Sequence, residues 1–373
     1  MSGFRHAHSG LKDWHVAVEE CLADLRPLPE GASIGFVYVT DAFAVYLAAI
    51  VAQLKRATDV GRWVGTVGIG VCATGREYFD EPGLVVMIGA LAEDDMCLIP
   101  PIRDSVDDFH GKARVWIERT RPMLGIVHGD PRNEKVPGLI GDLADATGCF
   151  LVGGLTASRG PYTQIAGEEG VDGGVSGLLL AGAVPVATGL SQGCSPIGPT
   201  RTVTGIRNGV VTTIDGRAAL EVLKAEIGPE LAGRLRQTGG LIFAAIPVPG
   251  SDTGDYLVRN LVGIDPEHGA IAIAAELSEG DRVMFCRRDN DTAVADLKRM
   301  LAQVKRRAGA GTPKAAVYYS CVARGPNMFG PDSGELGLIR DAIGDVPLVG
   351  FYANGEISHN RLYGYTGVLT LFL

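Results

Sequence analysis

The amino-acid sequence predicts a mixed α/β fold with two lobes, in which internally repeated βαββ units form mixed β-sheets flanked by helices. Three observations support this prediction. The 373 residues suffice for about two domains. Hydrophobic residues make up 46% and charged residues 21%, the composition of a folded globular chain. A pattern of apolar strand, small or polar turn, helix and apolar strand occurs three times, and such units bury both strand faces only beside neighbouring copies.

Each copy of the repeat contains a Val-Gly pair where the second strand is expected. The first copy has the strand Ile34–Val39, the helix Ala44–Arg56, Val64-Gly65 and the strand Leu84–Ile88. The second has Leu124–His128, Val136–Ala146, Val152-Gly153 and Gly177–Leu180, and the third has Ala315–Tyr319, Glu335–Ile343, Val349-Gly350 and Val368–Leu373. Alignment of the copies on their turns predicts that Asp41 and Asp130 are the positional counterparts of Cys321.

A region of different pattern separates the second and third copies. Alternating β-formers about Asn208-Gly209 predict a hairpin over Arg201–Ile214. Further along we expect a helix at Arg217–Ile227, strands at Leu241–Val248, Leu257–Ile264, Ala270–Ala275 and Arg282–Arg287, and a helix at Asp291–Arg307. These patterns divide the chain into an N-terminal helical segment (1–32) and two domains (33–198 and 199–373).

Charge and composition exclude several classes of function. The net charge of -9 and a pI near 5.3 leave no electrostatic basis for binding nucleic acid. The longest apolar stretch, Ala42–Leu54, is too short to cross a bilayer, and the first residues lack the apolar core of a signal peptide. We therefore expect a cytoplasmic protein with no membrane insertion. The cysteines and histidines are scattered, which disfavours disulfides and a metal site.

Two groups of short motifs resemble the FIST family, whose members combine a FIST-N and a FIST-C sensory domain. The motifs are Gln192–Gly198 followed by Val203-Thr204, Ser320–Gly325, Phe329-Gly330, Val349–Ile357 and Tyr363–Leu369. One departure is Ala323, where the family pattern C-x-G-R-G has glycine. The resemblance implies a stand-alone protein of signal transduction that senses a small ligand, such as an amino acid or related carboxylate, and acts on a separate signalling protein.

The bend that follows the predicted strand Ala315–Tyr319 combines a thiol, a guanidinium and a glycine. Arg324 and the amides around Gly325 are suited to a ligand's carboxylate, with Cys321 lining the pocket. The alternative is structural: Cys321 is then a small buried residue and Arg324 a member of an ion pair. The residues alone do not distinguish these hypotheses.

A second group of candidate residues follows the last Val-Gly pair. Asn354 and Glu356 lie in this turn, and Glu356 could accept a ligand's amino group or pair with Arg324. Glu77 follows the corresponding strand of the first copy and is predicted to occupy an equivalent turn. Gln192 and Cys194 lie in a Gly- and Pro-containing loop between the lobes and complete the predicted ligand-binding set.

Two other functions remain open at this point. A cysteine-dependent hydrolase or acyl transferase would use Cys321 or Cys194 as nucleophile, with His128 or His359 as base. A haem-based gas sensor would use one of the same histidines as its axial ligand. We expect no cofactor, and the leading prediction is an interlobe site for a small, anionic or zwitterionic metabolite.

Overall fold

The fold is described from a computed structural model, which covers residues 3–167, 169–235, 240–249 and 255–373. Strands form four sheets and helices pack outside them, which confirms the predicted mixed α/β class. The chain divides into two compact units. The larger runs up to Ser191 and resumes at Leu297, and the smaller is Gln192–Asp296. These units follow different boundaries from the predicted domains 33–198 and 199–373, because the third repeat packs with the first two.

The first repeat begins earlier than predicted. Its elements are β1 (Phe4–Ser9), α1 (Trp14–Asp24), β2 (Ile34–Thr40), a 3-10 helix (Asp41–Tyr46), α2 (Leu47–Thr58), β3 (Arg62–Gly68), β4 (Gly70–Ala73), β5 (Arg76–Phe79) and β6 (Leu84–Gly89). Strands β2 and β3 pair in parallel, β6 pairs antiparallel with β2, and β1 forms the outer edge on β6. The description of residues 1–32 as helical was therefore incomplete, since it missed the edge strand β1.

The second repeat has the same order of elements. A 3-10 helix (Glu93–Asp95) leads to β7 (Met96–Ile102), α3 (Asp107–Thr120), β8 (Leu124–Gly129), α4 (Val136–Thr147), β9 (Phe150–Leu155), β10 (Gln164–Ala166), β11 (Glu169–Val171) and β12 (Val175–Leu180). Strands β8 and β9 are parallel, β12 is antiparallel to β8, and β7 forms the edge on β12. The topology is therefore that of the first repeat.

The smaller unit follows β13 (Val186–Gln192), and its described residues form antiparallel strands and a helical segment that is interrupted at Gly228. It contains β14 (Cys194–Pro196), β15 (Arg201–Arg207), β16 (Val210–Ile214), β17 (Arg217–Ala218), α5 (Ala219–Gly233), β18 (Ile242–Pro247), β19 (Tyr256–Asp265), β20 (Ala270–Ile273) and β21 (Arg282–Arg288). Antiparallel pairing runs β15, β16, β20, β19, β18, β21 and returns to β15, so these six strands close into a ring. The predicted hairpin is β15–β16, with positive φ at Asn208 and Gly209.

The third repeat resumes after this insertion. Its elements are α6 (Asn290–Ala308), β22 (Ala315–Cys321), α7 (Pro326–Phe329), α8 (Gly334–Ile343), β23 (Leu348–Ala353), β24 (Glu356–His359), β25 (Arg361–Tyr363) and β26 (Thr366–Phe372). Strands β22 and β23 are parallel, β26 is antiparallel to β22, and β13 forms the edge on β26. The larger unit therefore consists of three repeats with one topology, which confirms the predicted repetition.

The hairpin of each repeat completes the sheet of another repeat. Strand β4 pairs with β23 of the third repeat, β24 pairs with β9 of the second, and β10 pairs with β3 of the first. Each donated hairpin extends its host to six strands. The inner faces of the three sheets share one hydrophobic core, and helices cover each outer face. The exchange therefore joins the repeats in a closed cycle.

The glycine of each Val-Gly pair is required by close backbone approach. A Cβ on Gly65 or Gly350 would lie 1.7 Å from the carbonyl oxygen of Val37 or Tyr318, and one on Gly153 would lie 1.8 Å from that of Val127. These glycines pair with the same three residues across the parallel strands. They therefore fix the structural alignment of the repeats.

Candidate functional site

The glycine alignment makes Tyr38, His128 and Tyr319 equivalent, and their side chains meet inside the larger unit. The hydroxyl of Tyr38 lies 3.2 Å from Nε2 of His128 and 3.0 Å from the hydroxyl of Tyr319. The ring of Phe351 packs against all three. Burial lowers the pKa of His128 to about 3, so its imidazole is neutral. His128 is therefore a buried residue that packs in this layer and contacts the hydroxyl of Tyr38.

The next inward-facing position lies at the carboxyl end of each first parallel strand. By register it holds Thr40, Asp130 and Cys321, and each is buried. The predicted alignment of Asp41 with Cys321 was therefore wrong by one residue. It matched the turns, which differ in sequence between the repeats, whereas the strand pairing at the glycines places Thr40 at the position equivalent to Cys321. Asp41 lies beyond the strand and forms an ion pair with Arg159 at 2.6 Å.

Cys321 and Glu356 lie side by side at this carboxyl end. Burial raises the pKa of Glu356 to about 8, whereas the Cys321 thiol and Thr366 act to lower it. Oε2 of Glu356 accepts hydrogen bonds from the backbone N–H of Thr366 at 3.1 Å and from its hydroxyl at 2.8 Å. Within the described part of the chain, Oε1 accepts no N–H or O–H. The site therefore contains a buried carboxyl oxygen that no N–H or O–H group of the described residues reaches.

Glu356 and Glu77 do not occupy equivalent turns. Glu356 pairs with Gly154 across strands, and its counterparts by register are Gln164 and Val71. Glu77 pairs with Cys72, and its carboxyl accepts the hydroxyl of Tyr352. Burial raises the pKa of Glu77 to about 7. The predicted equivalence was wrong because the two hairpins place their acidic residues on different strands.

Arg324 and Gly325 bind Glu335, on the side of the sheet that faces α8. Nε and Nη2 of Arg324 lie 2.8 and 2.7 Å from Oε1 of Glu335, and both side chains are fully buried. The backbone N–H of Gly325 donates to Oε2 at 3.1 Å. The hydroxyls of Tyr318 and Ser320 also donate to this carboxylate. The structure therefore contains the ion pair that the structural alternative for Arg324 required.

One nitrogen of this guanidinium remains unpaired. Among the described residues, Nη1 of Arg324 has no acceptor although the side chain is completely buried. The charge of Arg324 acts to lower the pKa of both Cys321 and Glu356, so it lies within electrostatic reach of them. An unpaired donor and an unpaired acceptor therefore occur at the same end of the sheet.

The remaining predicted site residues are Asn354, Gln192 and Cys194. Asn354 is exposed, and its backbone N–H donates to the carbonyl of Leu155 at 3.1 Å. Gln192 belongs to the smaller unit, where its backbone N–H donates to Asp296 at 2.6 Å and its side-chain amide to the carbonyl of Tyr256 at 3.2 Å. Cys194 is buried in the same unit and contacts Cys286.

The chemistry of the thiol argues for a protonated group. Burial, with a contribution from Glu356, raises the pKa of Cys321 well above its ordinary value. His359 is exposed and stacks on Phe150, with ring centroids 5.3 Å apart.

The sequence analysis missed two residues of this region, Glu335 and Thr366. The sequence offered only weak signals for them: Glu335 is an acidic residue early in a predicted helix, and Thr366 is a threonine at the start of a strand.

We expect the pH dependence of stability to report on Glu356. Its pKa is raised from 4.5 to about 8, so the fold favours the protonated form. This contribution is complete below pH 4.5 and is lost as the pH rises through about 8, at up to about 1.4 kcal/mol per pH unit. Urea unfolding at several pH values should show that the free energy of unfolding falls less steeply with pH in Glu356→Gln than in the parent. Parallel curves would contradict the assignment.

Cavities also occur elsewhere in the described residues. A cavity of about 670 Å³ lies on the smaller unit beside Leu257 and Arg259, and two of about 390 and 580 Å³ lie on the larger unit beside Phe372 and Phe109. Cys321 and Glu356 line none of these three. Within the described ranges, no helix is both long and apolar enough to span a membrane, and no group of His, Cys, Asp and Glu side chains could hold a metal ion.

Comparison with known proteins identifies two adjacent family matches. Residues 33–217 match the FIST N domain, and residues 219–359 match the FIST C domain. The uncharacterized protein Rv0628c of Mycobacterium tuberculosis is 32% identical over 350 residues, which cover 90% of this chain and 88% of that protein. The uncharacterized protein Mb0898c of Mycobacterium bovis is 29% identical with the same coverage.

Among solved structures, one chain of PurLQS from Thermotoga maritima is similar at a TM-score of 0.25 and 11% identity. The similarity covers 99% of this chain and 71% of that chain. A TM-score of this size carries no information about the fold or the function.

Proposed function

Because the chain belongs to the FIST family, whose domains are sensory domains of signal transduction, we propose that it binds a small zwitterionic metabolite, such as an amino acid. The ligand lies across the carboxyl ends of β22 and β23. We also propose that a separate signalling protein receives the signal of ligand binding. No cofactor is needed for this function.

The unpaired Oε1 of Glu356 is the observation that carries the proposal. A buried carboxyl oxygen without a polar partner is costly, and an ammonium group, which favours the ionised form of Glu356, satisfies it with a charge-assisted hydrogen bond. Ligands of open α/β sheets commonly bind at the carboxyl ends of the strands. Glu356 lies at such an end, beside the Cys321 thiol. The ligand's amino group therefore binds to Glu356.

The opposite end of the ligand binds to Arg324. Its Nη1 is a buried donor without an acceptor, so a carboxylate oxygen supplies what this nitrogen lacks. Arg324 and Glu356 come from the segments that follow the neighbouring parallel strands β22 and β23. Glu335 keeps its bonds to Nε and Nη2 when the ligand binds. A molecule that carries both charges satisfies both unpaired atoms, which a simple carboxylate or amine does not.

Calorimetric titration with the amino acids, simple amines and simple carboxylates tests the proposal. We expect a zwitterion to bind, and Glu356→Gln to weaken it by about 10- to 100-fold, since a hydrogen bond to a charged group contributes about 1.5–3 kcal/mol. Glu93→Gln changes an exposed carboxylate and is the matched control. Binding that is unchanged in Glu356→Gln, or no binding by any zwitterion, would refute the assignment.

A further inference from the structure

The position of Cys321 in the third repeat holds an aspartate in the second. Asp130 follows β8 as Cys321 ends β22, and the glycine alignment places them at the same level. Asp130 carries a negative charge and accepts hydrogen bonds from two backbone N–H groups, those of Arg132 and Gly173, both at 2.9 Å. The position is therefore built to hold an anionic oxygen in the second repeat.

The same two backbone donors are present around Cys321. Its sulfur accepts from the N–H of Ala323, two residues further along, as Asp130 accepts from Arg132. It also accepts from the N–H of Tyr365, which precedes the residue opposite Cys321, as Gly173 precedes the residue opposite Asp130. The third repeat thus keeps the donors of an oxygen-binding site and presents a sulfur to them.

The surroundings of the two positions differ in their charged side chains. The guanidinium of Arg132 binds Asp130, whereas the equivalent Ala323 offers only its backbone. Glu356 lies beside Cys321, fully buried, with Oε1 unpartnered among the described residues. The Cys321 site therefore offers two N–H donors to an added oxygen atom and one carboxylate acceptor to a hydroxyl hydrogen.

We propose that Cys321 is a site of oxidation by a peroxide, and that its sulfenic acid is held by the backbone N–H groups of Ala323 and Tyr365 and by Oε1 of Glu356. The added oxygen takes the place of a carboxylate oxygen of Asp130. The sulfenic O–H donates to Oε1 of Glu356. This modification needs no amine ligand, so it stands independently of the proposed function.

The reaction balances with hydrogen peroxide as the oxidant. The ionised form of Glu356, which is the minor form at neutral pH because its pKa is about 8, takes the thiol proton as the sulfur attacks one peroxide oxygen. The S–O bond forms while the O–O bond breaks, and the leaving hydroxide takes the proton from Glu356 to become water. The sulfur is oxidised by two electrons and the peroxide is reduced by two. The products are the sulfenic acid and one water molecule.

The experiment follows sulfenic acid formation in the full chain with hydrogen peroxide and dimedone, read by peptide mass mapping. We expect Cys321 to be labelled faster than Cys21 and Cys149, which are also buried thiols with raised pKa values. This comparison uses the unaltered protein and does not depend on the folding of a variant. Labelling of Cys321 no faster than that of Cys21 and Cys149 would overturn the proposal.

Two variants test the role assigned to each group. Glu356→Gln should slow the labelling of Cys321 by about 100-fold, the low end of a general-base contribution, without changing that of Cys21. Cys321→Ser removes the thiol, so it should abolish the labelling at position 321 and leave that of Cys21 unchanged. Equal labelling rates in Glu356→Gln would show that Glu356 takes no part, and this result would also overturn the proposal.

Discussion

Replacing Glu335 with alanine should lower the free energy of unfolding by about 3–5 kcal/mol, because it leaves the buried guanidinium of Arg324 without its counter-charge. Both side chains are fully buried, and the Glu335 carboxylate also accepts from Tyr318, Ser320 and the backbone of Gly325. Urea unfolding followed by circular dichroism gives the difference.

The exposed pair Arg62–Glu93 is the matched control for this result. Its atoms are 3.4 Å apart and Glu93 is 76% exposed, so Glu93→Ala should cost less than about 1 kcal/mol. The double variant Arg324→Met with Glu335→Leu removes both charges and should recover much of the loss. A cost for Glu335→Ala as small as that for Glu93→Ala would show that the pair does not hold α8 against its sheet.

Gly350→Ala should be even more destabilising, by more than about 4 kcal/mol, since a single methyl group cannot be accommodated there. The new Cβ would lie 1.7 Å from the carbonyl oxygen of Tyr318 and 2.7 Å from its carbonyl carbon. These are backbone atoms of the paired strand, so β22 and β23 would have to separate. Thermal unfolding of the purified variant, or its failure to accumulate as folded protein, is the measurement.

Gly138→Ala provides the contrast within the same chain. Gly138 is exposed on α4, and no atom lies within 4 Å of an added Cβ. Alanine there should stabilise by about 0.5–1 kcal/mol through its better helix propensity. A Gly350→Ala protein as stable as Gly138→Ala would contradict the close approach on which the alignment of the repeats depends.

The repeats were predictable because their apolar strands and Val-Gly pairs recur in one order. The glycines carry this signal since backbone contact excludes every other residue at Gly65, Gly153 and Gly350. The hairpin β15–β16 and the helix α6 were predictable for local reasons, from Asn208-Gly209 and from an amphipathic pattern. What is encoded within a few residues could therefore be inferred from the sequence.

The contacts that define the site could not be inferred in the same way. The short segment Gly70–Ala73 was not predicted as a strand, and nothing in its residues says that it joins the sheet of the third repeat. The partner of Arg324 depends on how α8 packs, which brings Glu335 under the bend. The ion pair of Arg324 therefore depends on a long-range contact, and ligand binding through its unpaired Nη1 is a proposal that this contact does not test.

The cyclic donation of hairpins has a consequence for how the larger unit can be divided. Deleting any one repeat removes the two-stranded hairpin that it adds to a second repeat's sheet. It also removes the sheet with which the third repeat's hairpin pairs, so no single repeat or pair of repeats keeps all of its strand pairings. All of these pairings lie outside Gln192–Asp296. Replacing residues of that insertion thus leaves all three pairings in place, whereas removing any one repeat breaks two of the three.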